Sequence, residues 1–314
     1  MKQYDLVAMG EILIDFSPDG TDAGGYARYI RNPGGAVVNV AAVFAKYGAK
    51  SGFIGKVGED LFGTYLKEYF TACGIDCSGV VFDPDFNTTL AFVSLDASGN
   101  RDFAFYRKNE ADLKLRAEEL NRDMLEHTRV FHFGSLSMTA EPARTATLCA
   151  ADIAKRAGAL ISYDPNFRAS LWAGQDAASH MRQVLPMVDY LKVSEEEGAM
   201  ITGKTDPAEC AADLLAMGPR AAAVTLGPDG AYCASRKGGF YLPAYPAKTI
   251  DTTGAGDTFF GTLLHELIMK QIDPEDLSAF RSAAETASKA AGKSTEKKGA
   301  APSIPDYADL FSQK

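Results

Sequence analysis

Residues 251–260 read Asp-Thr-Thr-Gly-Ala-Gly-Asp-Thr-Phe-Phe, a polar turn with two glycines that runs directly into an apolar helix predicted over Phe259–Met269. Because Gly254 and Gly256 carry no side chain, backbone N–H groups can converge at this turn. The N-terminus of the helix adds a partial positive charge. The stretch therefore predicts an anion site in which the N–H groups of Gly254, Ala255 and Gly256 face a phosphoryl group during its transfer.

Asp257 places a carboxylate beside this anion site. A carboxylate repels phosphate, so we interpret Asp257 as a base that removes the proton from a hydroxyl group attacking phosphorus. The alternative is a first-turn carboxylate that the helix dipole favours without any catalytic role. No Gly-Lys-Ser/Thr follows the glycines, and the third glycine of a dinucleotide fingerprint is missing. The sequence therefore matches neither of these two common phosphate-binding loops.

A second glycine cluster supports a family resemblance. Gly34-Gly35-Ala36 opens an apolar helix that contains Asn39, and residues 53–63 read Phe-Ile-Gly-Lys-Val-Gly-Glu-Asp-Leu-Phe-Gly. Together with residues 251–260, these segments resemble the two signatures of the ribokinase-like (PfkB) family of sugar and nucleoside kinases. The resemblance extends from Gly10 to Pro305. Within the family, the run Asp164-Pro165-Asn166-Phe167-Arg168 is most similar to fructokinases, although ketodeoxygluconate and riboside kinases share parts of these motifs.

Composition excludes several classes of partner. The net charge is −9, with 32 basic and 41 acidic side chains and no basic run, so we expect binding neither to nucleic acid nor to an anionic membrane. We also expect neither a membrane-spanning helix nor a signal peptide. The five cysteines are scattered and odd in number, which argues against a disulfide framework and favours a reducing cytoplasm.

Apolar strand-like runs alternate with helical patterns along the chain, which predicts an α/β fold with a mostly parallel central sheet and helices on both faces. We treat residues 1–314 as one ribokinase-like kinase domain. The predicted strands are Leu6–Met9, Ser51–Ile54, Arg129–Phe133, Leu160–Tyr163, Tyr190–Val193 and Ala222–Leu226. Ligands of such sheets bind beyond the carboxyl ends of the strands.

Two segments interrupt the alternation and predict a small β-sheet lid. Residues 12–32 contain extended pieces without a helix, and residues 88–108 are typical of a hairpin with its turn at Asp96–Asn100. A closed lid would exclude water from the activated phosphate of a nucleotide. The family resemblance implies the same lid, closing over the sugar, and a homodimer formed through it.

The resemblance also implies residues for the phosphate acceptor. Asp15 would bind sugar hydroxyls, with backbone and amide contacts from Gly34, Gly35 and Asn39. Arg107 and Arg168 are the fructokinase-like candidates, since each guanidinium offers a fork of donors to sugar or phosphate oxygens. Each of these residues also has a non-functional interpretation. Asp15 would be a solvated turn aspartate, Asn39 a buried structural asparagine, and the two arginines members of ordinary salt bridges.

Two further groups of residues are assigned to nucleotide and metal by the resemblance. Ser194 and Glu197 take the positions of a family Asn-x-x-Glu motif, in which Glu197 would contact Mg²⁺ through water. A serine N-cap followed by first-turn acids fits the same residues. Nucleotide contacts are also predicted at Thr225, Gly227 and Gly230, where a plain turn is the alternative. A monovalent cation, K⁺ in the simplest case, is predicted at the backbone or side chains of Asp251, Thr253, Ser294, Lys297, Gly299 and Ser303.

These observations predict an ATP-dependent sugar kinase that phosphorylates a primary hydroxyl of a ketose, with fructose as the first choice. The closest alternatives are kinases for 2-keto-3-deoxygluconate, ribose or a riboside. A catalytically silent sugar sensor on the same scaffold is the alternative from another class of protein.

Overall fold

Parallel strands form the centre of the fold, where the apolar runs of the sequence place them. The computed structural model describes residues 2–95 and 101–312. The predicted turn at 96–100 lies outside these residues. The strands are β1 (Tyr4–Met9), β2 (Leu13–Thr21), β3 (Ala27–Gly34), β4 (Ser51–Gly58), β5 (Ile75–Asp83), β6 (Leu90–Leu95), β7 (Arg101–Tyr106), β8 (Thr128–Gly134), β9 (Leu160–Asp164), β10 (Tyr190–Ser194), β11 (Ala221–Thr225), β12 (Ala231–Ser235) and β13 (Gly238–Leu242).

The large sheet has the order β13-β12-β11-β10-β9-β8-β1-β4-β5. Its pairs are parallel from β5 to β11, and only β12 and β13 run antiparallel at one edge. The chain adds β4 on one side of β1 and β8 on the other. A reversal of strand order of this kind opens a crevice at the carboxyl ends of the strands, where α/β proteins bind their ligands.

Helices cover both faces of the large sheet and form a hydrophobic core on each face. Helices α1, α2, α8 and α9 pack on one face, and α3 to α7 pack on the other. The helices are α1 (Ala36–Lys46), α2 (Leu61–Ala72), α3 (Arg122–Glu126), α4 (Ala143–Arg156), α5 (Ala177–Val184), α6 (Glu195–Thr202), α7 (Pro207–Ala216), α8 (Ala255–Met269) and α9 (Leu277–Ser294).

Helix α8 begins at Ala255, earlier than the Phe259 predicted from its apolar residues. Gly254 serves as the N-cap in a left-handed conformation with φ 75°. A Cβ atom at Gly254 would lie 2.6 Å from the Cβ of Ala300, so both the backbone angle and the space require glycine there. Because the helix starts early, Asp257 lies in its first turn and is buried.

The smaller sheet has the order β3-β2-β6-β7 and joins the two segments that interrupt the main alternation. Strands β2 and β6 pair in parallel, while β2–β3 and β6–β7 are antiparallel. Phe16 stacks on Phe92 with ring centroids 4.8 Å apart, and Arg31 lies 3.7 Å above the ring of Tyr65 on α2. The predicted fold class, a mostly parallel sheet with a small β lid, is confirmed.

Within residues 2–95 and 101–312, every helix is too short or too polar to cross a lipid bilayer.

Candidate active site

A cavity of about 380 Å³ lies between the carboxyl ends of the central strands, the small sheet and the N-terminus of α8. Many of the predicted site residues line it, although they are distant in sequence. The predicted residues among its walls are Asp15, Gly35, Asn39, Arg168, Ser194, Glu197, Thr253, Gly254, Gly256 and Asp257. Its volume is of the size that holds a small polar molecule together with a phosphate group.

Asp257 is held by two amide groups at the centre of the cavity. The Asn39 amide donates to Oδ2 at 2.8 Å, and the Asn166 amide lies 3.4 Å from Oδ1. Burial raises the pKa of Asp257 to about 6, and the negative charge of Asp164 adds to the rise, while Asn39, Lys192 and Arg168 lower it. A carboxylate with this pKa is ionised at neutral pH and still basic enough to accept a proton.

The predicted anion site lies at the start of α8. The first N–H groups of a helix have no acceptor within it, and Gly254 and Gly256 both line the cavity. Ala255 differs from the prediction: it is not among the lining residues, and its N–H donates to the carbonyl oxygen of Thr252 at 3.2 Å. Ala255 therefore closes the turn, while the two glycines face the cavity.

Lys192 is a functional candidate that was not predicted from the sequence. Its Nζ lies 3.0 and 3.2 Å from the two carboxylate oxygens of Asp164, and its side chain lines the cavity. Burial lowers the pKa of Lys192, but the carboxylates of Asp164, Glu197 and Asp257 outweigh that effect and raise it overall. A Cβ at Gly256 would lie 3.2 Å from Nζ, so a fixed positive charge adjoins the anion site. The feature of the sequence that could have indicated Lys192 is a lysine within the apolar run of β10.

Asp15 and its neighbours form the end of the cavity nearest the lid. Desolvation raises the pKa of Asp15 to about 7; Arg168 lowers it, and the charges of Asp257 and Glu11 raise it further. A Cβ at Gly34 would lie 2.2 Å from Oδ2 of Asp15. Gly34 is not among the lining residues, so its contribution is to let the Asp15 carboxylate approach closely.

Glu11 is a second lining residue that was not predicted from the sequence. Its Oε1 accepts the N–H of Ala36 at 2.9 Å, and burial raises its pKa to about 7. Oε2 is buried and has no hydrogen-bond partner among the described residues. The feature of the sequence that could have indicated Glu11 is an acidic residue two positions after the apolar strand β1.

The structure places Arg107 in a buried ion pair, and its contact with the acceptor remains a prediction. The Arg107 guanidinium donates to Asp112 at 2.7 Å, to Thr139 at 3.1 Å and to the carbonyl of Leu136 at 2.9 Å, and Arg107 does not line the cavity. A buried guanidinium needs a carboxylate partner, and Asp112 provides it. Asp112 also accepts from Thr89 at 2.7 Å, so the two ends of the β6–β7 hairpin attach to one carboxylate.

Ser194 and Glu197 form a capping box at the start of α6 and also line the cavity. The Ser194 hydroxyl accepts from the Glu197 N–H at 3.2 Å, and Glu197 Oε2 accepts from the Ser194 N–H at 2.7 Å. Glu197 Oε1 accepts from the N–H of Phe167 at 2.6 Å. The N-cap interpretation therefore describes this structure, and contact with Mg²⁺ through water remains a prediction.

The other residues predicted to contact nucleotide lie at the end of the neighbouring strand and in the turn that follows it. Thr225 ends β11 opposite Ser194 in the parallel register, and its hydroxyl donates to the carbonyl of Val193 at 3.2 Å. Gly227 and Gly230 belong to the following turn, where the N–H of Leu226 donates to the carbonyl of Gly230 at 2.8 Å. None of the three predicted residues lines the cavity, and their contact with nucleotide remains a prediction.

The predicted cation residues meet behind the anion site. Asp251 accepts the N–H groups of Thr253 at 2.7 Å and Gly299 at 3.0 Å, which joins two distant loops. The hydroxyls of Ser294 and Ser303 donate to backbone carbonyls at 2.7 and 2.8 Å. Lys297 is exposed, so only its backbone suits the site. In the described part of the chain, no three His, Cys, Asp or Glu side chains are arranged to hold a metal ion together, and binding of a cation remains a prediction.

The buried carboxylate at a helix N-terminus, with fixed positive charge beside it and a cavity in front, defines a phosphotransferase that acts on a hydroxyl group. The family pattern described as pfkB family carbohydrate kinase matches residues 3–307. The chain belongs to this family and is a carbohydrate kinase. The family resemblance and enzyme class predicted from the sequence are thereby confirmed.

Similar proteins agree with this assignment. The chain is 39% identical over 311 residues to fructokinase-1 of Zea mays, covering 98% of this chain and 96% of the relative. The crystal structure of a fructokinase from Xylella fastidiosa with bound ATP has a TM-score of 0.89 at 29% identity and covers 98% of both chains. A double mutant of fructokinase from Vibrio cholerae O395, with fructose, ADP and potassium bound, has a TM-score of 0.88 at 30% identity, covering 99% of this chain and 98% of that one.

Proposed function

We propose that this sugar kinase transfers the γ-phosphate of ATP to a primary hydroxyl of fructose. The observation that carries the proposal is the position of Asp257, buried in the first turn of α8 and bonded to Asn39 at 2.8 Å in a cavity of matching size. The maize relative is a fructokinase, and the two structural neighbours were crystallised with ATP or with fructose and ADP. The activity and ligands named for these proteins support ATP as the nucleotide and fructose as the sugar.

In this mechanism, Asp257 accepts the proton of the sugar hydroxyl as its oxygen attacks phosphorus in line. The amide groups at Gly254 and Gly256 and the ammonium of Lys192 stabilise the charge on the transferring phosphoryl group. Mg²⁺ bound with the nucleotide supplies further charge neutralisation. Ser194 and Glu197 would hold that ion with its water shell, and Asp251 and Ser303 would hold a potassium ion.

The charges around the acceptor favour a neutral sugar. At the end of the cavity proposed for the acceptor, Glu11, Asp15 and Asp257 contribute three carboxyl groups, against the guanidinium of Arg168. Glu196 and Glu197 also line the cavity. The ammonium of Lys192 is already paired with Asp164 at 3.0 Å. A keto acid would add a fourth carboxylate to this end of the cavity, whereas the hydroxyl groups of a ketose donate to carboxylates. The electrostatic balance therefore supports fructose over 2-keto-3-deoxygluconate.

The test is turnover of Mg·ATP with a panel of fructose, ribose, ketodeoxygluconate, tagatose and nucleosides, for the wild type and for Asp257→Asn. We expect fructose to be the best acceptor. Loss of a general base costs roughly 10²- to 10⁴-fold, so Asp257→Asn should lose at least a hundredfold in kcat while ATP still binds. A variant that turns over at the wild-type rate would refute the role of Asp257, and a different best acceptor would refute the choice of sugar.

We propose further that residues 1–314 act as a single kinase domain whose lid, residues 12–32 and 88–108, pairs two subunits into a homodimer. Tyr26, Tyr29, Ile30 and Tyr106 leave large apolar side chains exposed on the small sheet, which supports an interface there. Light scattering should give the mass of a dimer, and Tyr29→Glu should convert it to a monomer. A monomeric wild type would exclude the interface.

We also propose that the protein works in the cytoplasm. All five cysteines are free thiols, and three of them are buried, which is typical of proteins kept in a reducing compartment. Fractionation of cells that express the protein tests this assignment, and activity found only outside the cytoplasm would contradict it.

A further inference from the structure

The first turn of α1 is capped by a residue from a distant part of the chain. The N-cap of α1 is Gly35, which offers no side chain, and the N–H of Ala36 instead donates to Glu11 Oε1 at 2.9 Å. Helices α2, α5, α7 and α9 are each capped by an aspartate at their own N-cap position. The backbone angle of Gly35 and the space around it exclude a capping side chain at that position, so Glu11 supplies the cap from 25 residues away.

The backbone near Glu11 is packed against the same turn. A Cβ at Gly35, whose φ is +122°, would lie 2.4 Å from the carbonyl oxygen of Glu11. Glu11 therefore contacts the start of α1 through both its backbone and its carboxyl group. Glu11 is only 2% exposed, so its contacts with the protein determine its position.

The turn that Glu11 fixes carries Asn39, whose amide donates to Asp257 at 2.8 Å. Asn39 is also tied to the same turn through its own N–H, which donates to the carbonyl of Gly35 at 3.1 Å. Glu11, Ala36, Asn39 and Asp257 thus form one continuous series of contacts that ends at the reacting atoms.

We propose that Glu11 is a positioning residue for phosphoryl transfer, which holds the first turn of α1 so that the Asn39 amide remains on the carboxylate of Asp257. The proposal rests on the proposed function, in which Asp257 is the base. Glu11 acts through Asn39 and is not itself a catalytic residue.

The proposal predicts a change in the pH dependence of kcat. The Asn39 hydrogen bond lowers the pKa of Asp257, and the base must be ionised to act. If the turn moves, that bond weakens, the pKa of Asp257 rises, and the acid limb of the kcat profile moves to higher pH. A displacement of the order of 1 Å costs roughly a hundredfold in rate, so kcat should fall by about ten- to a hundredfold.

The experiment compares Glu11→Gln with Glu11→Ala and Glu11→Asp. Gln keeps an acceptor for the Ala36 N–H but lacks the charge, so it should retain the wild-type acid limb and most of kcat. Ala and Asp lose the contact and should shift the limb upward with lower kcat, while the KM for ATP changes little. Gln and Ala both remove the charge of Glu11. The difference in kcat and acid limb between these two variants therefore reports the loss of the hydrogen bond to the Ala36 N–H. If Glu11→Ala does not fold, Glu11→Asp decides the outcome.

Two controls separate this role from a general loss of helix stability. Asp206 caps α7 through the N–H groups of Ala208 and Glu209 at 2.9 Å, away from the cavity. Asp206→Ala should lower the melting temperature without moving the acid limb. In the background of Asn39→Ala, Glu11→Ala should cost little further kcat, because its effect passes through Asn39.

Three results would overturn the proposal: an unshifted acid limb in Glu11→Ala and Glu11→Asp, losses that add fully to those of Asn39→Ala, or Glu11→Gln behaving like Glu11→Ala. Asp257→Asn, assayed beside them, distinguishes the two failures. An inactive Asp257→Asn with unshifted Glu11 variants rejects the role of Glu11 alone, whereas an active Asp257→Asn rejects the proposed function.

Discussion

Replacing Asn39 with Ala removes the shorter of the two amide contacts to Asp257. The Asn39 amide lies 2.8 Å from Oδ2 in a buried site, and its hydrogen bond lowers the pKa of the carboxyl group. A hydrogen bond to a charged group contributes about 1.5–3 kcal/mol. One pH unit corresponds to about 1.4 kcal/mol, and water entering the space left by Asn39 would replace part of the bond. We therefore expect the acid limb of kcat to rise by about one pH unit.

The consequence is largest at low pH. With a pKa of about 6, half of Asp257 is ionised at pH 6. After a rise of about one unit, about one tenth would be ionised at that pH. The assay is release of ADP at saturating fructose and Mg·ATP from pH 5 to 9, fitted for the position of the acid limb.

Asn166 offers a matched control in the same site. Its amide lies 3.4 Å from Oδ1 of Asp257, too long for a strong hydrogen bond. Its φ of 46° is left-handed, so glycine is the replacement that keeps the backbone. Asn166→Gly should move the acid limb much less than Asn39→Ala. Equal shifts in the two variants, or no shift in Asn39→Ala, would refute the view that the short contact sets the strength of the base.

Two further predictions separate stability from catalysis. Asp112→Asn breaks the ion pair with Arg107, whose two side chains are each 1% exposed, and should destabilise the fold by about 3–5 kcal/mol. The KM for fructose should stay near that of the wild type, because Arg107 does not line the cavity. Thermal unfolding measures the loss of stability, and initial-rate kinetics measure the KM. A large rise in KM would indicate that Arg107 contacts fructose. Gly256→Ala places a Cβ 3.2 Å from Nζ of Lys192 and should lower kcat by about tenfold with no loss of melting temperature, since alanine favours helices. An unchanged kcat would show that the anion site has room for a methyl group.

The fold was predictable because local signals agreed along the chain. Short apolar runs separated by helical patterns define parallel strands, and the structure contains every strand predicted in the large sheet, with bounds that differ by a few residues. The start of α8 was placed too late because the apolar pattern begins at Phe259. The conformation of Gly254 and the polar residues of the first turn determine the true start.

The assembly of the site was less predictable because its contacts join distant residues. Asn39 and Asp257 are 218 positions apart, and no local pattern indicates that their side chains meet. The partner of Arg107 is only five positions away, but Asp112 lies in the short helical turn after the hairpin, so alternation along β7 could not reveal it. The motifs indicated candidate residues for the site. Only the fold shows which of them line the cavity and which hold other residues in place.

Asp164 provides a test with the opposite sign on the same base. The negative charge of Asp164 raises the pKa of Asp257, and the ammonium of Lys192 lowers it. Asp164→Asn removes the like charge and leaves the ammonium of Lys192, which lies 3.0 Å from Asp164 in the wild type. Asp164→Asn should therefore lower the pKa of Asp257 and move the acid limb of kcat to lower pH.

Asn39→Ala and Asp164→Asn thus shift the titration of Asp257 in opposite directions, because the first removes a hydrogen-bond donor and the second removes a like charge. Instability cannot produce both shifts, because partial unfolding lowers the amount of active enzyme at every pH without changing the base. The two profiles should be measured on samples matched for active sites by ATP binding. Shifts of the same sign would show that the acid limb reports a group other than Asp257, and the assignment of Asp257 as the base would then fail.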